Sequence, residues 1–247
     1  MMESIAVVLA AGQGTRMEST LPKVLVEVAG RPMIEYVLDA IDRAGIDRTI
    51  VVVGYQAELV EQTLKDRKNV EFALQAERLG TGHAVMSARP NFEGHSGPIV
   101  VLTGDAPMTR SESIAALVDD YKTHRPACVL GTAHKENPYG LGRIVRDSSD
   151  QFVGIVEEKD ATDEQRAITE VNMSYYVFDG ERLPGVLTDL RADNKQGEYY
   201  ITDCPGLFVK RGLTVRALPV LKPNEALGVN TLADLAQVER VMLEGEE

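Results

Sequence analysis

The chain is poor in cysteine, in positive charge and in long apolar runs. Cys128 and Cys204 are its 2 cysteines. Two cysteines so placed make neither a metal-ligand spacing nor a disulfide framework, and they read as free thiols of a reducing, cytoplasmic compartment. The 26 Lys and Arg are outnumbered by 38 Asp and Glu, for a net charge of −12. A general nucleic-acid binder carries a basic surface, so that class is excluded. No apolar run approaches the roughly 20 residues of a membrane-spanning helix. The start lacks a basic segment and its apolar run, residues 5–11, is short, which argues against a signal peptide. Internal repeats and low-complexity segments are also missing. An acidic chain that handles phosphates must gather its few cations in one place or recruit a metal.

With 44% hydrophobic and 26% charged residues in 247, the remainder is ordinary globular composition, enough for one α/β domain with or without a small subdomain. The most informative stretch is Leu9-Ala10-Ala11-Gly12-Gln13-Gly14-Thr15-Arg16-Met17, followed by Leu21-Pro22-Lys23. Ile5 to Leu9 reads as a buried parallel strand. The glycines after it allow a sharp bend and a close approach of an anion to backbone amides. Arg16 and Lys23 add two permanent charges, so the loop suggests a polyphosphate site. It is not a P-loop, for no Gly-Lys-Ser/Thr ends it, and Met17 stands where a dinucleotide fingerprint needs a small residue.

Downstream the pattern alternates. A helix opens at Gly30-Arg31-Pro32-Met33, repeats through Ile34, Val37, Leu38 and Ile41, and stops at Gly45. Strands are expected at 49–53, 70–74, 98–102 and 127–132, with helices at 58–65, 84–88, 111–121 and 232–243. This βαβ order implies an α/β, Rossmann-like fold with a mostly parallel mixed sheet and helices on both faces. Ligands of such sheets lie beyond the carboxyl ends of the strands. Gln75, Gly80 and Thr81 follow one such end, where the Gln75 amide can pair with a base edge; a surface turn is the alternative. His83 reads as a helix-start packing or capping residue. Thr103-Gly104-Asp105 follows another strand end. A lone carboxylate facing phosphates repels them unless a cation intervenes, which marks Asp105 as a candidate Mg²⁺ ligand, with a turn cap before Pro107 as the alternative. On residue type alone, Glu157 reads as an exposed carboxylate in a charged run, and Asn230 as an N-cap.

L-A-A-G-x-G-T-R-M with L-P-K, then G-D-x-P at 104–107 and G-V-N at 228–230, resembles the sugar-1-phosphate nucleotidyltransferases. Within them the chain is most similar to the uridyltransferase half of the bifunctional N-acetylglucosamine-1-phosphate uridyltransferases, over nearly its whole length. The resemblance implies that Leu9, Ala10, Ala11, Gly12, Gly14 and Thr15 wrap the triphosphate of UTP, that Arg16 and Lys23 stabilise the leaving pyrophosphate, and that Gln75, Gly80 and Thr81 read the uracil. It places Mg²⁺ on Asp105 and Asn230. Thr103, Gly104, Gly142, Glu157, Asn172, Tyr200, Thr202 and Asn230 then hold a hexosamine-1-phosphate. The implied product is UDP-N-acetylglucosamine, a cell-wall precursor, with no nucleic-acid or membrane partner; a homo-oligomer is compatible with it.

A single domain over 1–247 is expected, with a nucleotide-binding half at 1–133, a β-rich sugar-binding half at 134–247, and no left-handed β-helix acetyltransferase domain. The chain departs from the family pattern at Met173-Ser174, at Thr103 and around Tyr139 and Leu141. Three alternatives therefore stay open: another sugar phosphate with UTP or dTTP, a non-catalytic regulatory module, and a cytidylyltransferase for a polyol phosphate.

Overall fold

The computed structural model describes residues 2–17 and 19–244. Strand β1 (Ile5–Leu9) runs into the glycine loop and two short 3₁₀ turns. A small hairpin, β2 (Glu27–Val28) and β3 (Arg31–Pro32), precedes helix α1 (Met33–Arg43). Then β4 (Arg48–Val53), α2 (Ala57–Leu64), β5 (Val70–Leu74), α3 (Thr81–Phe92), β6 (Pro98–Thr103), α4 (Ser111–His124) and β7 (Cys128–His134) alternate as expected. The second part holds β8 (Gly142–Arg146), β9 (Phe152–Val156), α5 (Asp163–Arg166), β10 (Glu170–Asp179), α6 (Leu183–Leu187), α7 (Asp203–Lys210), β11 (Val215–Leu218) and α8 (Leu232–Glu244).

These strands build a 9-stranded sheet whose main path runs β11-β7-β10-β6-β1-β4-β5, with the β8–β9 hairpin attached to β10. Along that path β10 alone runs against the other strands, so the sheet is mixed and mostly parallel. Chain order moves from β1 outward to β4 and β5, then returns to the other side of β1 for β6. The reversal between β1 and β6 is a topological switch point, where the loops at the carboxyl ends of neighbouring strands part and leave a crevice.

Side-chain alternation builds a core on each face. Ile5, Val7, Ile50, Val52, Ile99 and Val101 point to one face and pack against α3, α6 and α7. Ala6, Val8, Val51, Val53, Val100 and Leu102 point to the other and pack against α1, α2 and α4. Strands buried on both faces read as continuous apolar runs, which is why their positions are legible. Ile34, Val37, Leu38 and Ile41 of α1 are all buried, each contributing roughly 1.5–3 kcal/mol relative to exposure. No helix among the described residues is long and apolar enough to cross a membrane.

The structure departs from the sequence reading in two places. The helix expected to open at Gly30-Arg31-Pro32-Met33 begins at Met33, and Pro32 flanks it with extended backbone instead of sitting in its first turn. The cause is the β2–β3 hairpin, turned by Ala29 and Gly30 at φ of 47 and 78°, a geometry that matches the twist of paired strands. Strand β10 was not anticipated. A register shift between Asn172 and Tyr175, with Ser174 at φ 59°, breaks its period-two pattern. Helices α5, α6 and α7 and strand β11 are short, and their apolar pattern is correspondingly weak.

Where β10 begins, Glu170 is buried. It accepts two hydrogen bonds of 2.7 Å from the Arg146 guanidinium and one from Thr132 Oγ1. Burial by itself would raise the Glu170 pKa, but the bonds from Arg146 and Thr132 prevail and hold the carboxyl below its ordinary range. Its stabilising contribution is therefore complete above the unfolded carboxylate pKa and is lost as pH falls through the lower folded value. Glu170→Ala, which takes from Arg146 its buried carboxylate partner and leaves it the Asp150 and Ala217 carbonyls, is expected to cost about 2–4 kcal/mol at neutral pH in urea unfolding, with the difference from wild type shrinking in acid.

Candidate active site

The crevice at the switch point is formed by the loop after β1, the loop after β6, the turn before α3, the bulged start of β10 and the segment ahead of α8. Gly14 is needed in the first of these: its φ is +70°, and a Cβ there would lie 2.7 Å from Lys23 Cβ. The bend turns the chain so that Arg16 and Lys23 face back over the strand ends. Gly104 N–H donates to Leu9 O at 2.9 Å, which fastens the β6 loop to the end of β1. Val229 N–H donates to Asp105 O at 3.4 Å and draws the segment before α8 into the same place.

Four side chains from distant positions meet there. Lys23 Nζ donates to Asp105 Oδ2 and, at 2.8 Å, to Asn230 Oδ1. Arg16 donates to the same Asn230 oxygen at 3.1 Å. Asn230 is not the N-cap of α8. That task falls to Thr231, whose Oγ1 accepts from Asp234 N–H at 3.2 Å while Asp234 accepts in return from the Asn230 and Thr231 amides. Asn230 is thereby released to point its carbonyl at the cations. Asp105 likewise faces Lys23 and is not engaged as a turn cap. Two cations against one carboxylate and one neutral amide leave the cluster positive in an acidic protein, which focuses a polyanion on this spot.

Lys23 and Asp105 of the cluster line the first of two adjoining cavities. The first, of about 260 Å³, is lined by Leu9, Ala11, Gly12, Lys23, Gln75, Gly80, Thr81, Thr103 and Asp105 among others. Gln75 is buried; its amide nitrogen donates to Gly80 O at 3.1 Å and lies 3.1 Å from His83 Nδ1. His83 thus braces Gln75 from the first turn of α3. Gly80, at φ +109°, lets the turn approach another backbone: a Cβ would lie 2.6 Å from Tyr199 O. Gly82 N–H donates to Tyr199 O, Tyr199 N–H to Leu79 O, and Ile201 N–H to Thr81 Oγ1. The segment 199–201 is zipped to the 79–82 turn, which joins the two halves of the crevice.

The second cavity, of about 200 Å³, shares Leu9, Thr81, Thr103 and Glu198 with the first and adds Glu157, Ser174, Tyr176, Tyr200 and Thr202 among others. Glu157 is only partly exposed, unlike the surface carboxylate its charged run suggests. Burial raises its pKa, and a hydrogen bond from Thr202 opposes the rise. Gly142 abuts Glu157 Oε1 and Asn172 Cβ. Asn172 is buried behind the cavity wall, where its amide donates to Tyr176 Oη at 2.7 Å.

Several residues named from sequence are not brought to a cavity. Ala10 is buried in the core on the α1 side. Thr15 is exposed at the start of a 3₁₀ turn. Gly104 packs against Val24 and Leu9 O. Sequence reasoning missed Arg78, Tyr176 and Glu198, which line the cavities. Arg78, three residues after Gln75 in the same loop, carried a usable signal. Tyr176 did not, because its orientation depends on the β10 bulge.

Residues 6–172 match the family described as MobA-like NTP transferase domain. A bifunctional protein GlmU of Streptococcus sanguinis is 45% identical over 241 residues, covering 98% of this chain and 52% of that protein. The chain spans about half the length of the curated relatives it matches. Among solved structures, a UDP-glucose pyrophosphorylase complexed with UDP-glucose aligns with TM-score 0.77 at 18% identity, covering 99% of both chains. A Bacillus anthracis protein described as a glucose-1-phosphate thymidylyltransferase in complex with sucrose aligns with TM-score 0.80 at 17% identity, over 99% of this chain and 97% of the other. At such identities these two structures establish a shared fold.

Thr202→Val is expected to raise the already elevated Glu157 pKa further by removing the hydroxyl that holds the anion. A ¹³C-detected NMR titration of the Glu157 carboxyl checks this; an unchanged or lower value counts against the contact.

Proposed function

This chain belongs to the MobA-like NTP transferase family and is an enzyme of the nucleotidyltransferase class; from that premise we propose that it transfers a uridylyl group from UTP to N-acetylglucosamine-1-phosphate, giving UDP-N-acetylglucosamine and pyrophosphate. The observation that carries the reading is the convergence of Arg16, Lys23, Asp105 and Asn230 in one bonded cluster, of which Lys23 and Asp105 line the first of the two adjoining cavities. The identity to bifunctional GlmU proteins over nearly the whole chain supports the choice of substrates.

The chemistry requires little from protein acids and bases. A sugar phosphate is already an anionic nucleophile, so the barrier lies in bringing two polyanions together and in the charge that develops on the departing pyrophosphate. Positioning and electrostatics supply most of such a rate. In this reading the nucleotide lies in the cavity walled by Gly12, Gln75 and Gly80, with its phosphates over the glycine loop. Arg16 and Lys23 hold the outgoing pyrophosphate. The hexosamine lies in the second cavity, where Glu157, held by Thr202, accepts from sugar hydroxyl or amide groups. A pocket with fixed polar groups discriminates because an ill-matched sugar leaves them unpaired. Ser174, at the site of departure from the family pattern, lines this cavity and bears on the choice of sugar.

The residues present fit a divalent cation. Asp105 and Asn230 offer hard oxygen donors that already converge on one positive charge, the Lys23 ammonium. Among the described residues no cluster of three or more His, Cys, Asp or Glu forms a complete metal cage. A two-oxygen set completed by phosphate and water suits Mg²⁺. When bound, the ion would neutralise phosphate charge and align the α-phosphorus for in-line attack.

Arg16→Ala is expected to lower kcat about 10²–10³-fold, the scale of losing one charge-stabilising donor, with an unchanged unfolding midpoint. Pyrophosphate release across a panel of sugar phosphates, with UTP or dTTP and with or without Mg²⁺, should be fastest for UTP with N-acetylglucosamine-1-phosphate and Mg²⁺. Wild-type turnover in folded Arg16→Ala, or faster release with dTTP and glucose-1-phosphate, would contradict the reading.

A further inference from the structure

The Lys23 ammonium occupies the position between Asp105 and Asn230 that the cation of the preceding subsection would take. It is bonded to one oxygen of each residue. A small divalent ion binds oxygens at about 2.0–2.1 Å, so an ion held by both residues would overlap the nitrogen or be repelled by it. We propose that Lys23 is a built-in competitor for the cation site: it neutralises Asp105 in the nucleotide-free protein and is drawn off when a polyphosphate arrives. The proposal rests on the reading of Asp105 and Asn230 as cation ligands.

The local structure suits a side chain that moves while its backbone does not. Lys23 N–H bonds to Gly12 O at 3.4 Å, and Lys23 Cβ packs against Gly14. The backbone is thus tied to the glycine loop, and mobility is left to the distal stem. That stem lines the same cavity as Gly12, Gln75 and Gly80, so a rotation of the chain can take the ammonium from Asp105 toward phosphates over the loop. An ammonium on a four-carbon stem carries three donors that can be re-aimed, which a planar guanidinium does less readily. Arg16 shows the contrast. It is bonded to Asn230, whereas Lys23 holds both Asn230 and Asp105, so it does not fill the same place.

Metal and polyphosphate should therefore bind as mutually supportive ligands. The polyphosphate supplies Lys23 with new anionic partners and frees the two oxygens; the metal in turn disfavours the return of Lys23. Such coupling is reciprocal by linkage. Metal alone must displace the ammonium without that help and should bind weakly.

The test is binding of Mn²⁺ alone to the full chain, without nucleotide, followed by the electron paramagnetic resonance signal of free Mn²⁺. Lys23→Met is expected to bind Mn²⁺ about tenfold or more tightly than wild type, the scale of releasing hydrogen bonds to a charged group. Lys23→Gln repeats the test should the first variant fold poorly. Arg16→Met controls for the loss of one nearby positive charge and is expected to gain clearly less. Asp105→Asn should remove Mn²⁺ binding in the Lys23→Met background. Equal affinities of wild type and Lys23→Met, with Asp105→Asn still abolishing binding, would overturn the competition and leave the cation site standing. An equal gain in Arg16→Met would also overturn it, by reducing the effect to general charge. Mn²⁺ binding that survives Asp105→Asn in every background would sink the cation-site reading itself, and the competition with it.

Discussion

The bond network that runs from Arg16 through Asn230 and Lys23 to Asp105 is the constraint around which the crevice is arranged. Its members come from three loops, Arg16 and Lys23 sharing the one after β1, and backbone hydrogen bonds tie these loops to the strand ends and to one another. An uncompensated carboxylate at the mouth of a phosphate site would oppose its ligand. An uncompensated pair of cations would repel each other. The network resolves both conflicts in the free protein by setting them against one another, and it leaves a small excess of positive charge for an incoming polyanion.

The sheet makes that meeting place available. Its central strands are apolar on both faces, so they are locked between two layers of helices and cannot adjust. The switch point between β1 and β6 then fixes where neighbouring loops diverge. The two cavities are joined by a backbone zipper between 79–82 and 199–201. Distortion at either cavity is therefore expected to be felt at the other, because they share Leu9, Thr81, Thr103 and Glu198 as common walls.

Much of this was legible in the linear chain, for identifiable reasons. The buried parallel strands read as apolar runs, and the loops after β1 and β6 carried Arg16, Lys23 and Asp105 at recognisable positions. Asn230 was legible through the G-V-N resemblance, whereas residue type alone pointed to an N-cap; Thr231 and Asp234 fill that role instead. Glu157 looked like one acid in a charged run, and only its folding against Gly142 and Thr202 withdraws it from solvent. Strand β10 escaped notice because its bulge interrupts the alternation on which strand recognition depends.

The sequence by itself determined the α/β class, the order of the first half and the identity of the residues that carry charge at the strand ends. These follow from local patterns: periodicity, glycine placement and the absence of competing motifs. Tertiary structure alone decided which of those residues touch, which face a cavity and which are spent on packing. That Lys23 sits between Asp105 and Asn230, 82 and 207 residues further along the chain, is an outcome of strand register and loop closure. Contacts of that kind arise from long-range packing, and no window of neighbouring residues encodes them.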